Sequence, residues 1–147
     1  MSLRQKIYDD MVESMKSKDK ETLSVLRMVK GSIQLEEISK KKELEDDEVI
    51  AVISKQIKTR KDANLEFEKG YRQDLIDKNN AEISILNRYM PEQLDSNEIE
   101  SIITEAMTRL EITTQKQMGL LMKDIMPKLK GRADMSMVNE LIKSKLN

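Results

Sequence analysis

The chain reads as all-α: an N-terminal helical domain of about four helices followed by a small three-helix C-terminal domain. Three observations predict this. Among 147 residues there are only 4 Gly and 2 Pro, so the residues that punctuate short strands are nearly missing. Apolar side chains recur three and four positions apart, the period of a helix face. Side chains that start helices stand before several of those stripes.

The elements follow in order. Ser2 caps a first helix with Leu3, Ile7, Met11 and Met15 on its apolar stripe. Lys16-Ser17-Lys18-Asp19 breaks it, and a second helix places Leu23, Leu26, Val29 and Ile33 on one face, with Leu35 and Ile38 near its end. The run from Lys40 to Glu48 sets cations after one helix and anions at the start of the next, complementing both helix dipoles. A third helix carries Val49, Ile50, Ile53, Ile57 and Phe67 and stops at Gly70. A fourth carries Leu75, Ile76, Ile83, Leu86 and Tyr89 and ends near Pro91, which pushes Met90 out of the helical region. Tyr89 to Leu94 is the candidate linker, giving domains 1–92 and 93–147.

In the second domain Asp95 with Glu98, and Thr114 with Gln117, have capping-box spacing. The fifth helix buries Ile99, Ile102, Ile103, Ala106, Met107 and Leu110. The sixth carries Met118, Leu121, Met122 and Ile125 and is stopped by Pro127. The last, capped by Asp134, carries Val138, Leu141, Ile142 and Leu146.

Composition excludes several chemistries. There is no Cys, hence no disulfide, thiolate nucleophile or Cys-bound metal, and no His, hence no imidazole base or ligand. No phosphate-binding glycine loop, nucleophile elbow or dinucleotide fingerprint occurs, so no catalytic residue, cofactor or metal site is expected. Asp46-Asp47-Glu48 lacks the spacing and glycine of a calcium loop. No apolar run has the length of a membrane span, and the opening segment is amphipathic with Asp9 and Asp10; the expected location is cytoplasmic. The 11 Met fall mostly on apolar stripes, where they read as core.

Charged residues make up 36% of the chain, against roughly 25% in ordinary domains, yet net charge is −1, so any basic surface is local. Residues 93–114 hold Asp95, Glu98, Glu100, Glu105 and Glu111 against Arg109, whereas 115–147 hold seven cations against Asp124, Asp134 and Glu140. Lys128, Lys130 and Arg132 alternate around Gly131, with Lys123 nearby. Such a cluster suits phosphate neutralisation; a solvated loop decorating helix ends is the other reading. A second basic stripe, Lys55, Lys58 and Lys61 beside Arg60, is interleaved with Asp62, Glu66 and Glu68 and reads as a solvated face.

Six segments, in register along the whole chain, resemble the YqeY family. They are Leu26-Arg27-Met28-Val29-Lys30, Lys58-Thr59-Arg60-Lys61-Asp62, Arg72-Gln73-Asp74-Leu75, Tyr89-Met90-Pro91-Glu92-Gln93-Leu94, Met118-Gly119-Leu120-Leu121-Met122 and Lys130-Gly131-Arg132-Ala133-Asp134. The resemblance implies a free-standing relative of the tail domain of GatB, a component of the glutamyl-/aspartyl-tRNA amidotransferase. A similar module is appended to some glutaminyl-tRNA synthetases. The resemblance also implies a helical domain followed by a three-helix domain, and tRNA as partner, contacted through Lys123, Lys128, Lys130, Gly131 and Arg132. It brings, too, the label of a carbon–nitrogen ligase with glutamine as amide donor. A glutaminase needs an activated Cys or Ser nucleophile in a suitable loop, so the expected role is a tRNA-binding accessory. The alternatives are an interaction module docking on an amidotransferase or aminoacyl-tRNA synthetase, and an amidotransferase in its own right.

Overall fold

A computed structural model describes residues 1–146. They form α1 (Leu3–Lys16), α2 (Lys20–Lys40), α3 (Asp46–Lys69), α4 (Gln73–Asn87), α5 (Ser96–Arg109), a 3₁₀ turn (Gln115–Gln117), α6 (Met118–Leu129) and α7 (Met135–Lys145). No strand occurs among the described residues, in keeping with the all-helical expectation. The chain divides into two compact units, Met1–Met90 and Pro91–Asn147.

In the first unit α1 packs on α2, α3 packs on α4, and α2 also touches α3 and α4. Ser2 Oγ accepts the Gln5 N–H at 3.1 Å and Asp19 accepts the Thr22 N–H at 3.1 Å, as N-caps do. Ile7, Leu26, Val29, Ile33, Ile53 and Leu86 are fully buried at the centre. Three apolar positions expected inside are not: Met15, Leu35 and Ile38 are 51%, 71% and 73% exposed. The Met15 miss follows from arithmetic, because a strict four-residue repeat drifts about 40° per step around a 3.6-residue helix. By Met15 the stripe has rotated off the core, and Ser14 is buried instead.

Helix ends reveal why so little glycine suffices. Lys18, Lys41, Tyr71 and Glu111 all have φ between 55° and 61°, the left-handed step usually given to glycine. At the end of α3 the Arg72 N–H donates to Phe67 C=O at 2.9 Å and the Tyr71 N–H to Glu68 C=O at 3.2 Å, a Schellman pattern. Gly70 does close α3, but it keeps φ −90°, and Tyr71 carries the left-handed residue. Each such non-glycine position costs roughly 1–2 kcal/mol.

The α2–α3 junction is an ion cluster. Glu48 accepts from Lys40 at 2.7 Å, Lys42 at 3.0 Å and the Glu45 N–H at 3.1 Å. These donors, Lys40 first, then the Glu45 amide and Lys42, hold its carboxyl down at about 2. Arg60, read from sequence as part of an exposed stripe, instead reaches inward. Its Nε donates to Glu82 at 3.1 Å, with both side chains only 12% exposed, and its Nη1 donates to Gln56 C=O at 3.1 Å. The distant acid that draws it in is invisible to a local charge pattern.

In the second unit α5, α6 and α7 surround Ile99, Ile103, Leu121, Ile125, Val138 and Ile142. Asp95 accepts the Glu98 N–H at 2.8 Å, Thr114 with Gln117 caps the 3₁₀ turn ahead of α6, and Asp134 accepts the Ser136 N–H at 2.9 Å. Pro127 does not stop α6, which continues to Leu129. Proline costs one N–H donor and crowds one carbonyl. So near the helix end, that cost is offset by burying Leu129 completely and by the Lys130 N–H bond to Met126 C=O at 2.9 Å.

Candidate nucleic-acid interface

The five sequence-predicted contact residues lie on α6 and the turn after it, but not as one patch. Lys123 and Lys128 are five positions apart, hence about 140° around the helix. Lys128 sits 3.6 Å from Asp124, which also accepts from Arg109 at 2.7 Å; Arg109 in turn holds Glu105 at 2.8 Å. Two cations and two acids balance there, so Lys128 is largely neutralised. Asp124 is held below the ordinary carboxylate range chiefly by the Arg109 hydrogen bond, and Arg109 is pushed up by the same bond. The positive block seen along the sequence is further offset by Lys145, 3.1 Å from Glu100 of α5.

Lys123 differs. No carboxylate of the described residues pairs with it. Leu120, Lys123 and Pro127 recur three and four positions apart, so they fall on one side of α6; they are exposed, as is Lys130, the residue that caps its end. Gly119 adjoins them and is also exposed; a Cβ added there would meet nothing within 4 Å. Glycine in a helix is disfavoured relative to alanine by up to about 1 kcal/mol, and no packing inside the protein requires it here. Gly119 and the 52% exposed Leu120 carry no charge, so charge counting did not pick them out. Their signal was an unforced glycine beside an outward leucine.

The turn after α6 is built by two segments about forty positions apart. Gly131 has φ 74°, which glycine alone adopts freely. Its C=O accepts from Gln93 Nε2 at 2.7 Å, the Leu94 N–H donates to Arg132 C=O at 2.8 Å, and Arg132 Nε donates to Glu92 C=O at 3.2 Å. Gly131 and Arg132 therefore clasp the 91–94 segment, and Arg132 is a positioning side chain as well as a cation. Lys130 is exposed at the start of this turn. The result is a rigid, glycine-containing turn flanked by Lys123 and Lys130, next to an open helix face. The ammonium groups of the two flanking lysines suit a phosphate or another oxyanion.

Among the described residues no group of three or more His, Cys, Asp or Glu side chains is placed to hold a metal ion, and no helix is long and apolar enough to cross a membrane.

Known proteins resemble the chain over most of its length. A Pyrenophora tritici-repentis protein named altered inheritance of mitochondria protein 41, mitochondrial, is 28% identical over 130 residues, 87% of this chain and 71% of that protein. An uncharacterized Schizosaccharomyces pombe protein is 34% identical over 91 residues, 62% of this chain and 74% of the other. The Kluyveromyces lactis altered inheritance of mitochondria protein 41, mitochondrial, is 37% identical over 84 residues, 56% of this chain and 45% of that protein. Two of these relatives are thus named as mitochondrial, which overturns the cytoplasmic expectation. Lack of cysteine and of an apolar span suits any reducing aqueous compartment, so composition never separated one from another. Residues 4–146 match the Yqey-like protein family, and the chain belongs to that family.

Proposed function

We propose that this protein is a tRNA-binding accessory, with a helical N-terminal domain and a tail-like C-terminal domain whose α6 face and Gly131 turn take the RNA backbone. Chemistry belongs to a partner enzyme of the glutamine-dependent carbon–nitrogen ligase kind. The family is related to the GatB tail of the tRNA amidotransferase, and the relatives' names point to a mitochondrial setting for the role. One observation carries the reading: Lys123 and Lys130 stand exposed beside an open glycine and a turn locked by Gln93 and Arg132. RNA bodies are contacted through phosphate and 2′-hydroxyl groups, which such an arrangement suits.

The test is tRNA binding by the purified chain and by a Lys123→Gln/Lys128→Gln/Lys130→Gln variant. Arg132 is left intact because it also holds the 91–94 segment. The variant should bind several-fold more weakly with an unchanged helical spectrum. Equal binding would remove this surface from the account.

A second reading, docking on an amidotransferase or an aminoacyl-tRNA synthetase through the first unit, is favoured by the outward Leu35 and Ile38 on α2. A pull-down with wild-type chain and a Leu35→Ser/Ile38→Ser variant separates the two: it predicts capture by wild type alone.

A further inference from the structure

The first unit holds a cleft of about 360 Å³ that the RNA reading does not use. It lies between α1, the start of α2 and the end of α4, and its walls carry both charge signs: Lys6 and Arg88 against Asp10, Glu13 and Asp19. The acids at its ends are fixed in place. Asp10 accepts the Tyr89 hydroxyl at 2.6 Å, and Asp19 accepts the Thr22 N–H at 3.1 Å and the Thr22 hydroxyl at 2.8 Å. Tyr89 is buried and lines the cleft, with Lys6 Nζ 5.7 Å from its ring centre. The Arg88 charge is felt at Asp19 and helps hold its carboxyl below the ordinary range, after the two Thr22 hydrogen bonds.

Opposite charges that line one cleft ordinarily collapse onto each other as ion pairs. Here neither Lys6 nor Arg88 pairs with any carboxylate among the described residues, though ion pairs form between α1 and α2, between α2 and α3 and between α3 and α4 in the same unit. Two cations and three acids face a common gap and do not close it. The complement of that gap is a small molecule with a carboxylate and an ammonium on one short frame.

We propose that this cleft is a binding site for a free α-amino acid. The carboxylate is taken by Lys6 and Arg88, and the ammonium by Asp10, Glu13 and Asp19, with Tyr89 beneath the side chain. The volume accommodates a free amino acid, and an open cleft with a ligand of about ten heavy atoms gives a Kd on the order of 1 mM.

The experiment is an amide NMR titration of the full chain with each common α-amino acid, with sodium acetate and methylammonium chloride as half-ligand controls. The proposal expects saturable shifts at Ser14, Asp19 and Arg88 with at least one amino acid, and much smaller shifts with either control at equal concentration. Arg88→Gln and Glu13→Gln, both at exposed positions, should each weaken binding at least about five-fold while keeping a dispersed spectrum. No saturable shift with any amino acid overturns the proposal. So does an acetate response as large as that of the amino acids, which would mark a plain anion site, or a matching methylammonium response, which would mark a plain cation site.

Discussion

Leu129→Ala tests whether the last turn of α6 is stabilised by burial beyond Pro127. Leu129 is fully buried within the α5–α7 core, two residues past the proline. Truncation to alanine removes three carbon groups, roughly 2.4 kcal/mol of transfer free energy at about 0.8 per group. The cavity left behind adds to that, and measured Leu→Ala costs at buried sites run about 2–5 kcal/mol. A loss of about 3 kcal/mol is therefore expected, most of what a core of this size supplies. Native-state amide exchange reads it directly: the slowest amides of α5, α6 and α7 should exchange about 100-fold faster, since about 1.4 kcal/mol is tenfold. A change below two-fold would refute the reasoning, because it would mean that the helix ends at Pro127 and Leu129 is solvated.

Lys41→Gly, at a left-handed position with φ 56°, should raise stability by about 1 kcal/mol, seen as a higher urea midpoint at unchanged slope. Arg60→Met alone should cost about 2 kcal/mol by leaving the buried Glu82 without its partner, and adding Glu82→Leu should restore most of it in a denaturant double-mutant cycle. Glu48 has a folded value near 2, below its ordinary 4.5, so it favours the folded state above about 4.5 and that contribution is lost as pH falls towards 2. Carboxylate NMR should place its midpoint near 2 in the wild type; a midpoint near 4.5 would show that the Lys40 and Lys42 contacts do not persist in solution. Gly119→Ala should stabilise the second unit by about 0.5 kcal/mol, since nothing blocks the new Cβ, yet weaken tRNA binding if RNA approaches that face. A stabilised variant with undiminished binding would leave Gly119 outside the interface.

Helices were the most legible feature of this chain, because caps and apolar periods are local. Ser2, Asp95 and Asp134 cap where their spacing places them, and Asp19, read only as part of a break, caps α2 as well. What the sequence hid depends on partners far along the chain. Arg60 sits in an apparent surface stripe until Glu82 of α4 is brought beside it. Pro127 reads as a stop until the burial of Leu129 is known. The left-handed caps at Lys18, Lys41, Tyr71 and Glu111 carry no residue signature at all, since each is imposed by the helix ending there. The basic cluster was visible as composition, but its division was not. Lys128 is offset by Asp124, while Arg132 is turned to Glu92 of a segment forty positions earlier.

The central claim, that the α6 face and the Gly131 turn bind tRNA through its backbone, is tested most directly by affinity across a salt series with bulk RNA as competitor. Each neutralised phosphate contributes about 0.7–0.9 to the slope of log K against log salt. With Lys128 offset by Asp124 and Arg132 turned to Glu92, contacts through Lys123 and Lys130 predict a slope of about −1.6, nearly all of it lost in the variant lacking the three lysines. Binding with a slope near zero, or with the same slope in both proteins, would contradict the account.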